Sequence, residues 1–75
     1  MKLTERQRKI LVEIVTRGGG EAIKHGGHYA IGCNEFVADE DVIIRLERKR
    51  CVRLDRVGGS TFAVITERGQ EEATA

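Results

Sequence analysis

LERKRCVRLDRVGGSTFAVITERG, Leu46 to Gly69, is the stretch whose reading decides the fold. It predicts, in order, a helix end, a strand, a glycine turn, a returning strand and a Thr-initiated final turn. Val52 and Leu54 alternate with Cys51, Arg53 and Asp55, the two-residue period of a half-buried strand. Val57-Gly58-Gly59-Ser60 supplies the turn, and Thr61 to Ile65 is rich in β-formers and returns. Arg45, Arg48, Lys49, Arg50, Arg53 and Arg56 lie on or beside the first half of this stretch.

Working towards the N-terminus, Val42, Ile43 and Leu46 form the apolar stripe of the helix that feeds the ribbon. Asp39 is the N-cap candidate, followed by Glu40 and Asp41, whose charges suit a helix N-terminus. Asn34 is a candidate cap for one helical turn through Glu35, Phe36 and Val37. Further back, Ile23 precedes and Tyr29 and Ile31 follow His25-Gly26-Gly27-His28. Two adjacent glycines between short alternating runs predict a first hairpin, whose outer strand is expected to be an unpaired edge. Gly18-Gly19-Gly20 ends an opening helix whose apolar positions Ile10, Leu11, Ile14 and Val15 keep helical spacing. Thr4 and Gln7 fit a capping box at its start. Thr66 is placed to cap a short last helix at Glu67-Arg68, with residues 1–3 and 70–75 expected to fray. The reading is one α+β domain over residues 1–75.

Seventy-five residues make a single small domain whose core is built from Ile, Val and Leu, since Trp and Pro are absent. The charged share of 33% and apolar share of 40% are those of an ordinary globular chain. The formal net charge is +1, but it is unevenly placed: +3 over residues 1–20, −3 over 21–40, +3 over 41–60 and −2 over 61–75. Such alternation can set a basic face behind a near-neutral total. Two cysteines, Cys33 and Cys51, do not make a disulfide framework. The charged N-terminus has no apolar signal region, and no apolar run approaches a membrane span, so a cytoplasmic home is expected.

The order helix, short β-hairpin, helix, β-hairpin wing, short C-terminal helix resembles the winged-helix (winged helix-turn-helix) family of small prokaryotic regulators. Ile44 to Arg53 is similar to the family's helix-to-strand junction of leucine, two linking residues, lysine, glycine, an apolar residue, any residue and arginine. Arg50 stands where the family has its glycine. Ile65-Thr66-Glu67-Arg68-Gly69 resembles the family's wing exit, and Leu3 to Gln7 its usual opening. The glycine-rich residues 18–32 stand where the family has a regular helix. A looser similarity links the chain to YjhX-like toxins, in length, in the Gly-Gly-rich stretch after the first helix and in the closing Ile-Thr-x-x-Gly; no activity is carried over from it.

The resemblance implies a DNA-binding transcriptional regulator, acting through the second long helix and the wing. The candidate contacts are Arg45, Arg48, Lys49, Arg53 and Arg56, with Lys9 and Arg17 as peripheral phosphate contacts. Guanidinium groups suit this role because they meet phosphate and guanine edges bidentately. The carboxylates of Asp39, Glu40 and Asp41 at the helix mouth oppose it. The alternative is a protein–protein interaction or dimerisation module of the same shape, with Tyr29 and Ile31 as its candidate surface and a homodimer as its natural product. His25, His28 and Cys33 carry zinc-ligand chemistry, but their spacing with Cys51 is no zinc signature, and no metal or cofactor is expected. Cys51 reads as a small buried hydrophobe. No catalytic constellation or phosphate-cradling motif is present, so an enzyme is not expected.

Overall fold

The computed structural model describes residues 2–32 and 36–74. The capping box forms as read: the Thr4 hydroxyl accepts from the Gln7 amide at 3.1 Å, and the Gln7 side chain accepts from the Thr4 amide at 3.2 Å. It starts α1, Glu5–Thr16, whose buried stripe is Gln7, Ile10, Leu11 and Ile14. The chain then turns through Gly19 and Gly20, both at positive φ, where a side chain would be strained.

Three strands follow: β1 (Glu21–His25), β2 (His28–Ile31) and β3 (Phe36–Asp39). They lead into α2, Glu40–Arg48, and then the ribbon β4 (Val52–Val57) and β5 (Ser60–Ile65). Gly58 and Gly59, at φ 56° and 83°, make the two-residue turn that such a ribbon requires. The last element is α3, Glu67–Thr74.

The fold is thus α+β: among the described residues there are three helices and a five-stranded antiparallel sheet in the order β3-β2-β1-β5-β4. Residues 70–74 are helical rather than frayed. They are held because α3 lies along α1, where the Arg8 guanidinium donates to the Glu72 carbonyl and stands 3.5 Å from its carboxylate.

Phe36 and Val37 are in a strand, not a helical turn. Ile31↔Phe36 and Ala30↔Val37 pair across the sheet, so two good β-formers complete a ladder in place of one isolated turn. Cys33, Asn34 and Glu35, on which the expected cap fell, lie outside the described residues. The outer strand of the first hairpin is therefore not an edge, because β3 covers β2.

The register divides the sheet into two faces. Ala22, Tyr29, Ile31, Ala38, Val52 and Ala63 point to the helices and pack with Ile10, Leu11, Ile14, Val42, Ile43 and Leu46. Residues of the other parity, among them Ile23, Val37, Phe62 and Val64, point away from the helices. Tyr29 and Ile31 are 1% and 0% exposed. They are core, not the surface expected of them, because their parity on β2 turns them under the helices. Burial pushes the Tyr29 phenol above its ordinary pKa.

The junctions around Cys51 explain the motif residues. The Cys51 amide donates to the Leu46 carbonyl at 2.9 Å, and the Cys51 carbonyl accepts from the Thr66 amide at 3.0 Å. The Thr66 hydroxyl donates to the Arg50 carbonyl at 2.5 Å and accepts from the Gly69 amide at 3.1 Å, capping α3 while binding it to the end of α2. Cys51 itself is fully buried, which raises the pKa of its thiol.

Arg50 has φ 63° and is the only non-glycine residue with positive φ among those described. The left-handed conformation costs an L-residue more than it costs glycine. Arg50→Gly is therefore expected to stabilise the fold by about 0.5–1 kcal/mol, the relieved strain exceeding the added unfolded-state entropy. A urea midpoint equal to or below that of the parent would refute this.

Candidate nucleic-acid interface

α2 is amphipathic. Val42, Ile43 and Leu46 are buried, while Asp41, Arg45, Glu47 and Arg48 are exposed and Ile44 is half-buried. Arg45 and Arg48 carry no ion-pair or hydrogen-bond partner among the described residues. Together with Asp41 and Ile44 they line a shallow open surface. Arg45 also borders a second groove, against Arg6 and Gln7 at the start of α1.

The three carboxylates at the mouth of α2 are not equivalent. Asp39 occupies the N-cap position, yet its side chain makes no capping hydrogen bond. It takes the Arg6 guanidinium at 2.8 Å instead. Glu40 accepts the Lys24 ammonium at 2.8 Å, and this hydrogen bond and charge hold the lysine above its usual pKa. The Arg6–Asp39 pair is exposed and the Lys24–Glu40 pair half-buried, and neither adds much to stability. Their effect is on the local field: two of the three negative charges have a cation beside them. Asp41 is without one among the described residues.

The expected patch of cations divides in three. Arg56 shares parity with Val52 and Leu54 and so lies on the helix side of the sheet, within electrostatic range of Lys24 and Tyr29. Arg45, Arg48 and Arg56 are thus on one side of the molecule. Arg53 has the opposite parity, on the face turned away from the described helices, and stands 3.2 Å from Asp55. Lys49 is committed to holding α2 against α1: its ammonium donates to the Lys2 carbonyl at 2.8 Å and to Gln7 Oε1 at 2.7 Å.

The two peripheral candidates are both on α1 or its end. Lys9 is exposed midway along α1. Arg17, just beyond it, pairs with Glu13 at 2.6 Å. Sequence reading alone missed Lys24 and Arg6, whose importance lies in partners distant along the chain.

Among the described residues no group of three or more His, Cys, Asp or Glu side chains is placed to hold a metal ion. His25 and His28 face each other across the first hairpin, and both are exposed. No helix among the described residues is long and apolar enough to cross a membrane. No known family model, curated protein or solved structure matches this chain.

Proposed function

We propose that the chain is a small winged-helix-like protein that binds duplex DNA through α2 and the β4–β5 ribbon, as a transcriptional regulator. The observation that carries this reading is the pair of partner-free, exposed arginines, Arg45 and Arg48, on the helix that runs directly into the ribbon.

The topology supports it. Strands β1, β5 and β4 lie side by side in that order, with α2 ahead of the β4–β5 ribbon. That order is similar to the one expected of a winged-helix sheet and wing. The strands β2 and β3 stand where a helix-turn-helix has its middle helix. Arg56 adds a third cation from the ribbon on the α2 side of the sheet. The pairing of Asp39 with Arg6 and of Glu40 with Lys24 reduces the repulsion a phosphate backbone would meet at the helix mouth.

Binding of a mixed-sequence duplex, followed by fluorescence anisotropy over a salt series, tests the reading. Affinity is expected to fall steeply as salt rises, because phosphate contacts release counterions. Arg45→Ala combined with Arg48→Ala is expected to weaken binding roughly tenfold or more at low salt and to flatten the salt slope. Arg53→Ala, on the far face of the sheet, is the control and leaves affinity within roughly twofold. Absence of binding to random duplex at low salt would overturn the proposal, as would equal losses in the two variants.

A further inference from the structure

Four side chains of α2 share one arc of the helix. At about 100° per residue, Asp41, Ile44, Arg45 and Arg48 fall within roughly 100° of one another, opposite the buried Val42, Ile43 and Leu46. The same four line the shallow open surface of α2. The arc that carries the two partner-free arginines therefore also carries a carboxylate.

That carboxylate is the one acid of the helix mouth left to itself. Asp39 and Glu40 are held by Arg6 from α1 and Lys24 from β1. Asp41 and Arg45 are four residues apart with the acid first, the favourable order for an ion pair on a helix. Glu13 and Arg17 make such a pair at 2.6 Å, at the same spacing at the end of α1. Asp41 and Arg45 do not, and among the described residues neither has another charged partner. Both are left to meet a ligand, one as an acceptor and one as a donor.

On a surface that meets DNA, a carboxylate is repelled by every phosphate near it. Only a donor on a base edge can offset this. In the major groove cytosine presents the N4 amino group alone, whereas guanine presents two acceptors and thymine an acceptor and a methyl group. Adenine sets its N7 acceptor beside its amino group, which suits an amide and not a carboxylate. Arginine in turn takes O6 and N7 of guanine.

We propose that Asp41 is a specificity residue, selecting duplexes that present a cytosine amino group to the start of α2 and a guanine about two base steps away under Arg45. The spacing follows from the helix: four residues rise about 6 Å, close to two steps of 3.4 Å. Against any other base pair the carboxylate keeps its repulsion and gains nothing, so it discriminates by weakening the wrong complexes. The inference rests on the nucleic-acid reading above, and adds that the chain reads sequence as well as charge.

Selection from a randomised duplex library by the whole chain at low salt, with sequencing of the retained pool, is the first arm of the test. The retained duplexes are expected to share a cytosine and, about two steps from it, a guanine. Fluorescence anisotropy on one such duplex is the second arm. Replacing its cytosine pair by a thymine pair is expected to weaken binding of the parent roughly fivefold to a hundredfold. Asp41→Asn keeps the shape and removes the charge, at an exposed position that leaves the core untouched. It is expected to bind mixed-sequence duplex more tightly than the parent does, and to move the preference at that pair from cytosine to adenine. Circular dichroism checks its fold; should it not fold, Asp41→Ala takes its place and is expected to lose the cytosine preference. A parent that retains no duplex at low salt overturns the nucleic-acid reading and this inference with it. A parent that binds but retains a random pool overturns this inference alone, as does a variant that keeps the cytosine preference.

Discussion

Gly69→Ala is expected to destabilise the protein by about 3 kcal/mol or more, a large part of the stability of so small a domain. A Cβ on Gly69 would stand 2.0 Å from the Cys51 carbonyl oxygen, 2.9 Å from its carbonyl carbon and 2.8 Å from Ile65 Cγ1. The flexible part of this contact is Ile65; the Cys51 carbonyl is not. That carbonyl accepts from the Thr66 amide, while the amide of the same residue is held by Leu46. Relief therefore requires α3 to lift away, which breaks the Thr66 cap on the Gly69 amide and the Arg8 contact with Glu72. Urea unfolding followed by circular dichroism measures the loss; a change below about 1 kcal/mol would show that α3 is not seated as described.

Leu46→Ala is the second large effect, about 2–5 kcal/mol. Leu46 is fully buried in the cluster that joins α2 to the sheet, beside Ile43 and Val52. Truncation leaves a cavity at the point where the helix turns into the ribbon, and the surrounding strands are too constrained by their pairing to fill it. Ile44→Ala, two positions earlier and half-buried on the same helix, is expected to cost less than about 1 kcal/mol. Similar losses at the two positions, measured by the same unfolding assay, would mean that α2 is rotated from the orientation described. The contrast bears on function as well, since the orientation that buries Leu46 is the one that exposes Arg45 and Arg48.

Local signals were legible in the sequence, and long-range ones were not. The Thr4–Gln7 box, both glycine turns, the ribbon and the Thr66 cap are each decided by residues within a few positions of one another, and each stands as read. The strand Phe36–Asp39 could not be read this way. Its capping-type neighbours favour a helical turn locally, and only the free edge of β2 makes an extended conformation the better choice.

The candidate site shows the same division. Alternation along the ribbon separates Arg53 from Arg56, but which parity lies under the helices is set by packing of the whole sheet. Asp39 has the sequence of a cap, yet Arg6, 33 residues away, takes its carboxylate. Lys49 reads as one more surface cation and is a tether, because its ammonium reaches the Lys2 carbonyl and Gln7 Oε1, more than 40 residues away along the chain. Tyr29 and Ile31 read as an offered surface because the sequence leaves the outer strand of the first hairpin an unpaired edge, whereas β3 covers it. All of Tyr29, Ala30 and Ile31 are buried instead.

The strand order has a consequence for how the chain is made. β1, β2 and β3 are consecutive and can form a meander as they emerge from the ribosome, but the other side of β1 must wait for β5: Ala22 pairs with Ala63 and Ile23 with Phe62. Until residue 65 has been synthesised and cleared the exit tunnel, β1 is an open edge and the underside of the nascent meander lacks the ribbon. Such late, non-local closure is slow relative to local pairing and leaves unpaired backbone N–H and C=O groups, with apolar side chains beside them, available to other chains. The central strand of the finished sheet is thus the exposed edge of the growing one, and that interval of synthesis is when the polypeptide most needs a chaperone or a fast translation rate.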